Sequence, residues 1–231
     1  MDRLALLGSG DIEVVGRVVQ SSNGTYVVEL TSGDDSHYAI YKPVRGERPL
    51  WDFEPGLHRR ERAAYVLSDW LGLGIVPPTV IREDAPMGTG SLQWFVDANF
   101  AEHYFSMYEE RPALHDVLRT MCLFDIVANN TDRKGGHVLL DQDEQVWGID
   151  QGLCFAAEDK LRTVIWDFAG EPIGEDLLAA IEPLASRVPE ELEELLSVDE
   201  VAAVQRRARR LLRQPVFPHD RIGHAYPWPL V

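Results

Sequence analysis

Two aspartates, Asp132 and Asp150, stand 18 residues apart in DIVANNTDRKGGHVLLDQDEQVWGIDQGLCF, each where an apolar run gives way to a turn. Such a pair suits phosphoryl transfer, in which one carboxylate accepts the proton of an attacking hydroxyl and the other holds a metal ion on nucleotide phosphates. Aspartate beside glycine is also ordinary turn chemistry. The rest of the chain decides between the two, because phosphate chemistry further needs fixed cations and a fold that gathers distant segments.

Lys42 closes the β-like run HYAIYKP, which Pro43 stops. With Ile40 and Tyr41 beside it, its ammonium falls at a core boundary, where it either snorkels to solvent or binds phosphate. The second role requires an acid on a following helix, and Glu61 in RRERAAYVLSDWLG is the candidate. The alternative for Glu61 is a surface pairing with Arg59, Arg60 or Arg62. Ser22 and Gly24, in the turn SSNG, are candidates for laying backbone N–H groups over phosphates, although the same residues make a plain hairpin turn. Trp94, Phe95 and Val96 in SLQWFVDA lie near the adenine of a bound nucleotide, or else pack in a core.

The elements that must position these residues follow from periodicity. DIEVVGRVVQ, GTYVVEL and HYAIYKP read as three strands, preceded by a short amphipathic turn or helix over residues 1–10. VRGERPLWDFEPG is a Gly/Pro/Arg-rich loop, and the helix after it carries Ala64, Leu67 and Leu71 at helical spacing, along with Ala63, Tyr65, Val66 and Trp70, as a mostly buried helix. Gly72 and Gly74 end that helix, and Pro77-Pro78 forces an extended path. A buried helix from ALHDVLRTMCLFDIVANN runs into the Asp132 stretch, where a short hairpin follows. Further helices broken by prolines come next, in which acidic PEELEELL and basic QRRARRLLR read as a charged helical hairpin with a solvated basic face. The tail PVFPHDRIGHAYPWPLV reads as an irregular strap. The expectation is an α+β chain with a β-rich lobe over residues 1–93 and a helical lobe over 94–231.

Composition narrows the classes of function. With 22 Lys and Arg against 38 Asp and Glu, the net charge is −16, which disfavours nucleic acid and anionic bilayers as partners. The only cysteines, Cys122 and Cys154, sit in apolar runs, so a disulfide framework is not expected. No apolar run reaches the roughly 18 residues of a membrane span, and the first residues lack a signal-peptide core, so a cytoplasmic location is expected.

Taken in order, the GTY turn, YAIYKP, ERAAYVLSDWLGLGIVPPT, NNTDR and GIDQGLCF resemble the type II phosphatidylinositol 4-kinases, in the lipid-kinase-like branch of the protein-kinase fold. The resemblance implies a bilobed protein-kinase-like fold with ATP between the lobes. It makes Lys42 the phosphate-binding lysine, Glu61 its orienting acid, Asp132 the catalytic base and Asp150 a metal-binding aspartate. Lys134 falls where many protein kinases keep a lysine that neutralises the transferred phosphoryl group. His137 departs from the pattern by standing where the family has a metal-binding asparagine. Neutral imidazole suits softer divalent ions better than Mg²⁺, so the second metal is absent, or Mn²⁺ is preferred, or His137 is a polar cleft residue.

The chain also lacks the cysteine-rich palmitoylated insertion of the eukaryotic lipid kinases. The expectation is therefore an ATP- and Mg²⁺- or Mn²⁺-dependent kinase acting on a protein or small-molecule hydroxyl, without stable membrane association. A nucleotide-binding pseudokinase scaffold is the alternative, and an acidic adaptor using PEELEELL is a third.

Overall fold

A computed structural model describes residues 2–19, 21, 23–50, 53–220, 223 and 225–231. After helix α1 (Arg3–Ser9), capped by the Asp2 side chain, five antiparallel strands form one sheet. They are β1 (Asp11–Arg17), β2 (Tyr26–Ser32), β3 (Asp35–Pro43), β4 (Thr79–Arg82) and β5 (Gly90–Trp94), in the order β1-β2-β3-β5-β4. On β3, Ala39 and Tyr41 are buried with Val28, Leu30, Leu92 and Trp94 in a core on one face of the sheet. Side chains alternate along a strand, so Ile40 and Lys42 project from the opposite face.

The edge strand β4 is an addition to the sequence reading. Its four residues pair only with β5, just beyond the Pro77-Pro78 pair that holds the chain extended. Gly90 lets β5 lie close against the end of β3: a Cβ there would meet the Lys42 carbonyl oxygen at 2.5 Å and the Pro43 Cα at 2.7 Å. The backbone of Lys42 is thereby fixed from one side by a neighbour without a side chain.

Helix α2 (Leu57–Trp70) starts at Gly56, whose φ of 108° offers no side-chain cap. Glu47 supplies one from outside the helix, accepting from Gly56 N at 2.9 Å and His58 N at 3.2 Å. A carboxylate there satisfies free N–H groups and complements the helix dipole. Ala63, Ala64 and Leu67 of α2 are fully buried in the large core shared with the helical half of the chain. That half holds α3 (Tyr104–Glu110), α4 (His115–Ala128), the hairpin β6 (Val138–Leu140) and β7 (Val146–Gly148), α5 (Glu175–Ile181), α6 (Glu190–Leu195) and α7 (Val198–Arg213).

The architecture is the expected bilobed α+β arrangement, with the strand-rich part first and the helical part after it. Both cysteines are free and buried. Among the described residues, no helix is long and apolar enough to cross a membrane.

The charged helical hairpin needs correction. The acidic block reaches α2, where Arg62 pairs with Glu191 at 2.7 Å and Arg60 pairs with Glu200 of α7 at 2.5 Å. The basic block does not present a wholly solvated face. Arg207 is only 3 % exposed, and donates to the carbonyls of Val127 and Ala156 at 2.9 and 3.2 Å. Those carbonyls lie just before the Asp132 stretch and just after the Asp150 stretch, so the arginine serves as a buried strut.

The Glu47 cap gives a test of how α2 is held. Burial pushes the Glu47 carboxyl up, but the hydrogen bonds from His58 and from the Gly56 and His58 backbone outweigh it and hold the pKa below its usual value. A depressed carboxylate stabilises the fold above its unfolded pKa and loses that contribution as pH falls through the folded one. Glu47→Gln is therefore expected to lose about 0.5–2 kcal/mol at pH 7, with the deficit shrinking below about pH 4.3. Urea unfolding midpoints across that range measure it.

Candidate functional site

Lys42 and Glu61 meet because β3 and α2 approach side by side. The Lys42 ammonium contacts Glu61 Oε1 and lies 2.7 Å from Asp150 Oδ1, so three segments far apart in sequence share one charge. Glu61 is buried at 2 % exposure, and its second oxygen accepts from Gln151 N at 3.0 Å. The surface pairing with neighbouring arginines is thus not where Glu61 goes. Burial alone would lower the Lys42 pKa, but Asp150 and Glu61 hold the ammonium above its usual range. The Lys42 charge in turn draws the Asp150 carboxyl far below the usual carboxylate value.

Asp150 adopts φ of 59° and Phe155 φ of 71°, the left-handed region that a bulky side chain rarely enters. Phe155 is fully buried and its N–H donates to Ala128 O at 2.6 Å, so packing and a hydrogen bond maintain the strained turn after Asp150.

Asp132 follows α4 through two asparagines with separate tasks. Asn129 ends the helix at φ of 52°, and its side chain donates to Ala156 O and Glu158 O while accepting from Lys160 N. Asn130 donates to Asp125 Oδ1 at 3.0 Å and accepts from Asp132 N at 3.0 Å. An asparagine in the left-handed position is a recognisable helix terminator, so the Asn129 stop was available from sequence. The tethering of residues 156–160 was not.

Arg133 organises what surrounds these loops. It is completely buried, and its donors go to Asp125, Gln151 Oε1, His137 O and Ile149 O. Asp125, equally buried, also accepts from Thr163 Oγ1 at 3.1 Å. The guanidinium has five N–H groups in a rigid fork, and here all five find acceptors, joining α4, the Asp132 loop and the segment after β7.

Asp132, His137 and Asp150 converge, with one ligand atom of each lying within 4.8 Å of the others. Burial raises the Asp132 pKa, against the opposing effect of Lys134, whose Nζ is 2.9 Å from Asp132 Oδ2. Burial pushes the His137 imidazole down to about 4, so the ring is neutral near pH 7. Its Nδ1 lies 3.0 Å from Asp132 O, a carbonyl that can only accept, which assigns the ring proton to Nδ1. Nε2 then turns a lone pair toward Asp150 Oδ2 at 3.4 Å. Two acceptors facing each other fit a cation between them, and a ring N–H donated to a backbone carbonyl is how ligating histidines are commonly oriented.

Not every candidate gathers there. Trp94 stands opposite Ala39 on the core face of the sheet, stacked on His37 at 3.6 Å between ring centroids, so its ring faces away from the Lys42 side. Strand alternation is the cause, since Trp94 shares the face of Leu92. Phe95 is half-buried against Tyr38, and Val96 is buried. The turn bearing Gly24 lies at the Lys42 end of β2 and β3. Its N–H is already donated to Gly46 O at 2.9 Å, and the two glycines pack so closely that a Cβ on Gly24 would sit 3.0 Å from Gly46 Cα. Gly24 therefore has no free amide for a phosphate in this arrangement. Ser22 falls outside the described residues.

The sequence profile of the family described as phosphatidylinositol 3- and 4-kinase matches residues 59–212. The chain is also 40 % identical to Protein Rv2133c of Mycobacterium tuberculosis (strain ATCC 25618 / H37Rv), over 99 % of this chain and 95 % of that protein. Among solved structures, the Helicobacter pylori proinflammatory kinase CtkA matches 91 % of this chain and 94 % of its own, at 13 % identity and a TM-score of 0.47.

The buried Arg133–Asp125 pair makes a specific demand. Asp125→Ala strands a guanidinium in the core and is expected to lose about 3–5 kcal/mol in urea unfolding. Replacing both partners, Asp125→Leu with Arg133→Met, should recover a large part of that loss, and equal losses in the two variants would contradict this account.

Proposed function

The chain belongs to the phosphatidylinositol 3- and 4-kinase family, and on that premise we propose that it is an ATP- and divalent-metal-dependent phosphotransferase. Within the family the motif order resembles the type II phosphatidylinositol 4-kinases. The proposed acceptor is a hydroxyl on a protein or small molecule in the cytoplasm. A net charge of −16 argues against an anionic bilayer as the substrate surface. The observation that carries the reading is the meeting of Lys42 with Glu61 and Asp150 beside Asp132 and His137.

In the proposed reaction Lys42, oriented by Glu61, donates to the nucleotide phosphates. Asp132 takes the proton from the acceptor hydroxyl as the oxygen bonds to the γ-phosphorus. The bond from that phosphorus to the β–γ bridging oxygen breaks, and ADP leaves. A raised carboxylate pKa brings the base closer to the pH at which it works. Lys134 offsets charge on the transferred phosphoryl group. Asp150 and His137 are the residues that would hold a divalent ion, which when bound neutralises phosphate charge. An imidazole donor in that set favours Mn²⁺ over Mg²⁺.

Two outcomes test this. Asp132→Asn is expected to lower γ-phosphate turnover about 10²–10⁴-fold while ATP still raises the melting temperature. Thermal stabilisation by ATP with no turnover in the unaltered protein would instead select the pseudokinase reading. His137→Asn is expected to reduce the ratio of Mn²⁺- to Mg²⁺-supported activity about tenfold, and an unchanged ratio would remove His137 from the metal site.

A further inference from the structure

The segment after α7 is bound in two different ways. Its first part belongs to the helical core: Phe217 is 1 % exposed, and Gly170 N and Ile173 N donate to Phe217 O and Pro215 O at 2.9 Å each. Its last part, Ala225–Val231, instead crosses the loops that carry the chemistry. Ala225 O accepts from Thr163 N at 3.0 Å and from Trp166 Nε1 at 3.1 Å. Leu230 O accepts from Gly135 N at 2.6 Å. Gly135 comes directly after Lys134, three residues beyond Asp132, and a Cβ on it would meet Phe105 at 3.1 Å and Leu230 O at 3.3 Å. Glycine at this position is what admits a polypeptide backbone so close to the loop.

The way the strap is held separates it from ordinary packing. Ala225 and Pro227 are buried, but Tyr226, Trp228, Leu230 and Val231 are exposed, Trp228 to 87 %. Main-chain carbonyls make the hydrogen bonds, as in recognition of extended peptides, where backbone donors bind and side-chain pockets select. Any polypeptide on the same path would meet the same donors on Thr163, Trp166 and Gly135. Few side chains oppose its exchange. From Pro215 to Val231 the sequence contains no serine or threonine.

Resting on the kinase reading above, we infer that the acceptor is a hydroxyl side chain on an extended polypeptide, and that Ala225–Val231 occupies its seat as a placeholder without an aliphatic hydroxyl. Polypeptide acceptors bind by displacing the strap. The donors engage carbonyls five residues apart on one chain, a spacing that suits an extended polypeptide rather than a compact headgroup or polyol.

The test uses the full chain with ATP and Mn²⁺, comparing the unaltered protein with Ala225→Asp, which sets a carboxylate in a site 5 % exposed, and with Pro227→Asp, which does the same at the other buried residue of the strap. Dephosphorylated casein serves as the polypeptide probe, phosphatidylinositol in phosphatidylcholine vesicles as the lipid probe and myo-inositol as the small-molecule probe. Both variants should label casein about tenfold faster than the unaltered protein, with acceptor-free ATP hydrolysis unchanged. A synthetic peptide of residues 225–231 should then inhibit competitively against casein and not against ATP. Labelling of phosphatidylinositol or inositol in preference to casein overturns the inference and leaves the kinase reading intact. Casein labelling equal in all three proteins does the same, and if Ala225→Asp fails to fold, Pro227→Asp and the peptide competition decide. Absence of ATP turnover in every protein refutes the kinase reading and this inference together.

Discussion

A guanidinium sealed from water must find acceptors for all its N–H groups or destabilise the fold, and Arg133 meets that demand with partners on three separate segments. The carboxylate of Asp125 balances its charge, so the pair acts as a peg between α4 and the Asp132 loop. Because Arg133 is the next residue to Asp132 and donates to the carbonyls of His137 and Ile149, it fixes the backbone beside all three members of the Asp132, His137 and Asp150 cluster. A buried ion pair is weak evidence for stability in general. Its value here is geometric, since breaking it would let Asp132, His137 and Asp150 drift apart.

The second constraint acts across the lobes. Lys42 reaches from the sheet to Glu61 on α2 and to Asp150 beyond β7, while α2 itself is packed into the helical core. The sheet thus meets the helical part through an ionic contact as well as apolar packing. In the proposed reaction a phosphate would compete for the ammonium that two carboxylates share. Arg60 extends the tie, donating to Cys154 O at 2.8 Å and pairing with Glu200 on α7. Movement of α2 would therefore be felt both at Lys42 and in the segment after Asp150.

Much of this was legible in the sequence, for identifiable reasons. The alternation of HYAIYKP fixed the side of the sheet from which Lys42 projects, and the heptad-like apolar spacing of α2 fixed that helix. The same alternation, carried across the turn to β5, sends the Trp94 ring into the core, a consequence that requires knowing which strands pair. Gly24 illustrates a different limit, because a turn glycine advertises a free amide until its partner, here Gly46, is known. Charged residues mislead most. Arg133 and Arg207 read as solvated on any hydropathy scale, and only tertiary packing shows that each is buried with acceptors. The pairing of PEELEELL with α2, where adjacent QRRARRLLR seemed the natural partner, has the same origin.

The central claim is that Lys42 and Asp150 together form a seat for a metal-bound triphosphate. Calorimetric titration of ATP with Mn²⁺ into the unaltered protein, Lys42→Met and Asp150→Asn tests it without requiring turnover or knowledge of the acceptor. The account predicts saturable binding that weakens at least about tenfold in each variant, a loss of roughly 1.4 kcal/mol. Equal affinity in all three proteins would contradict it.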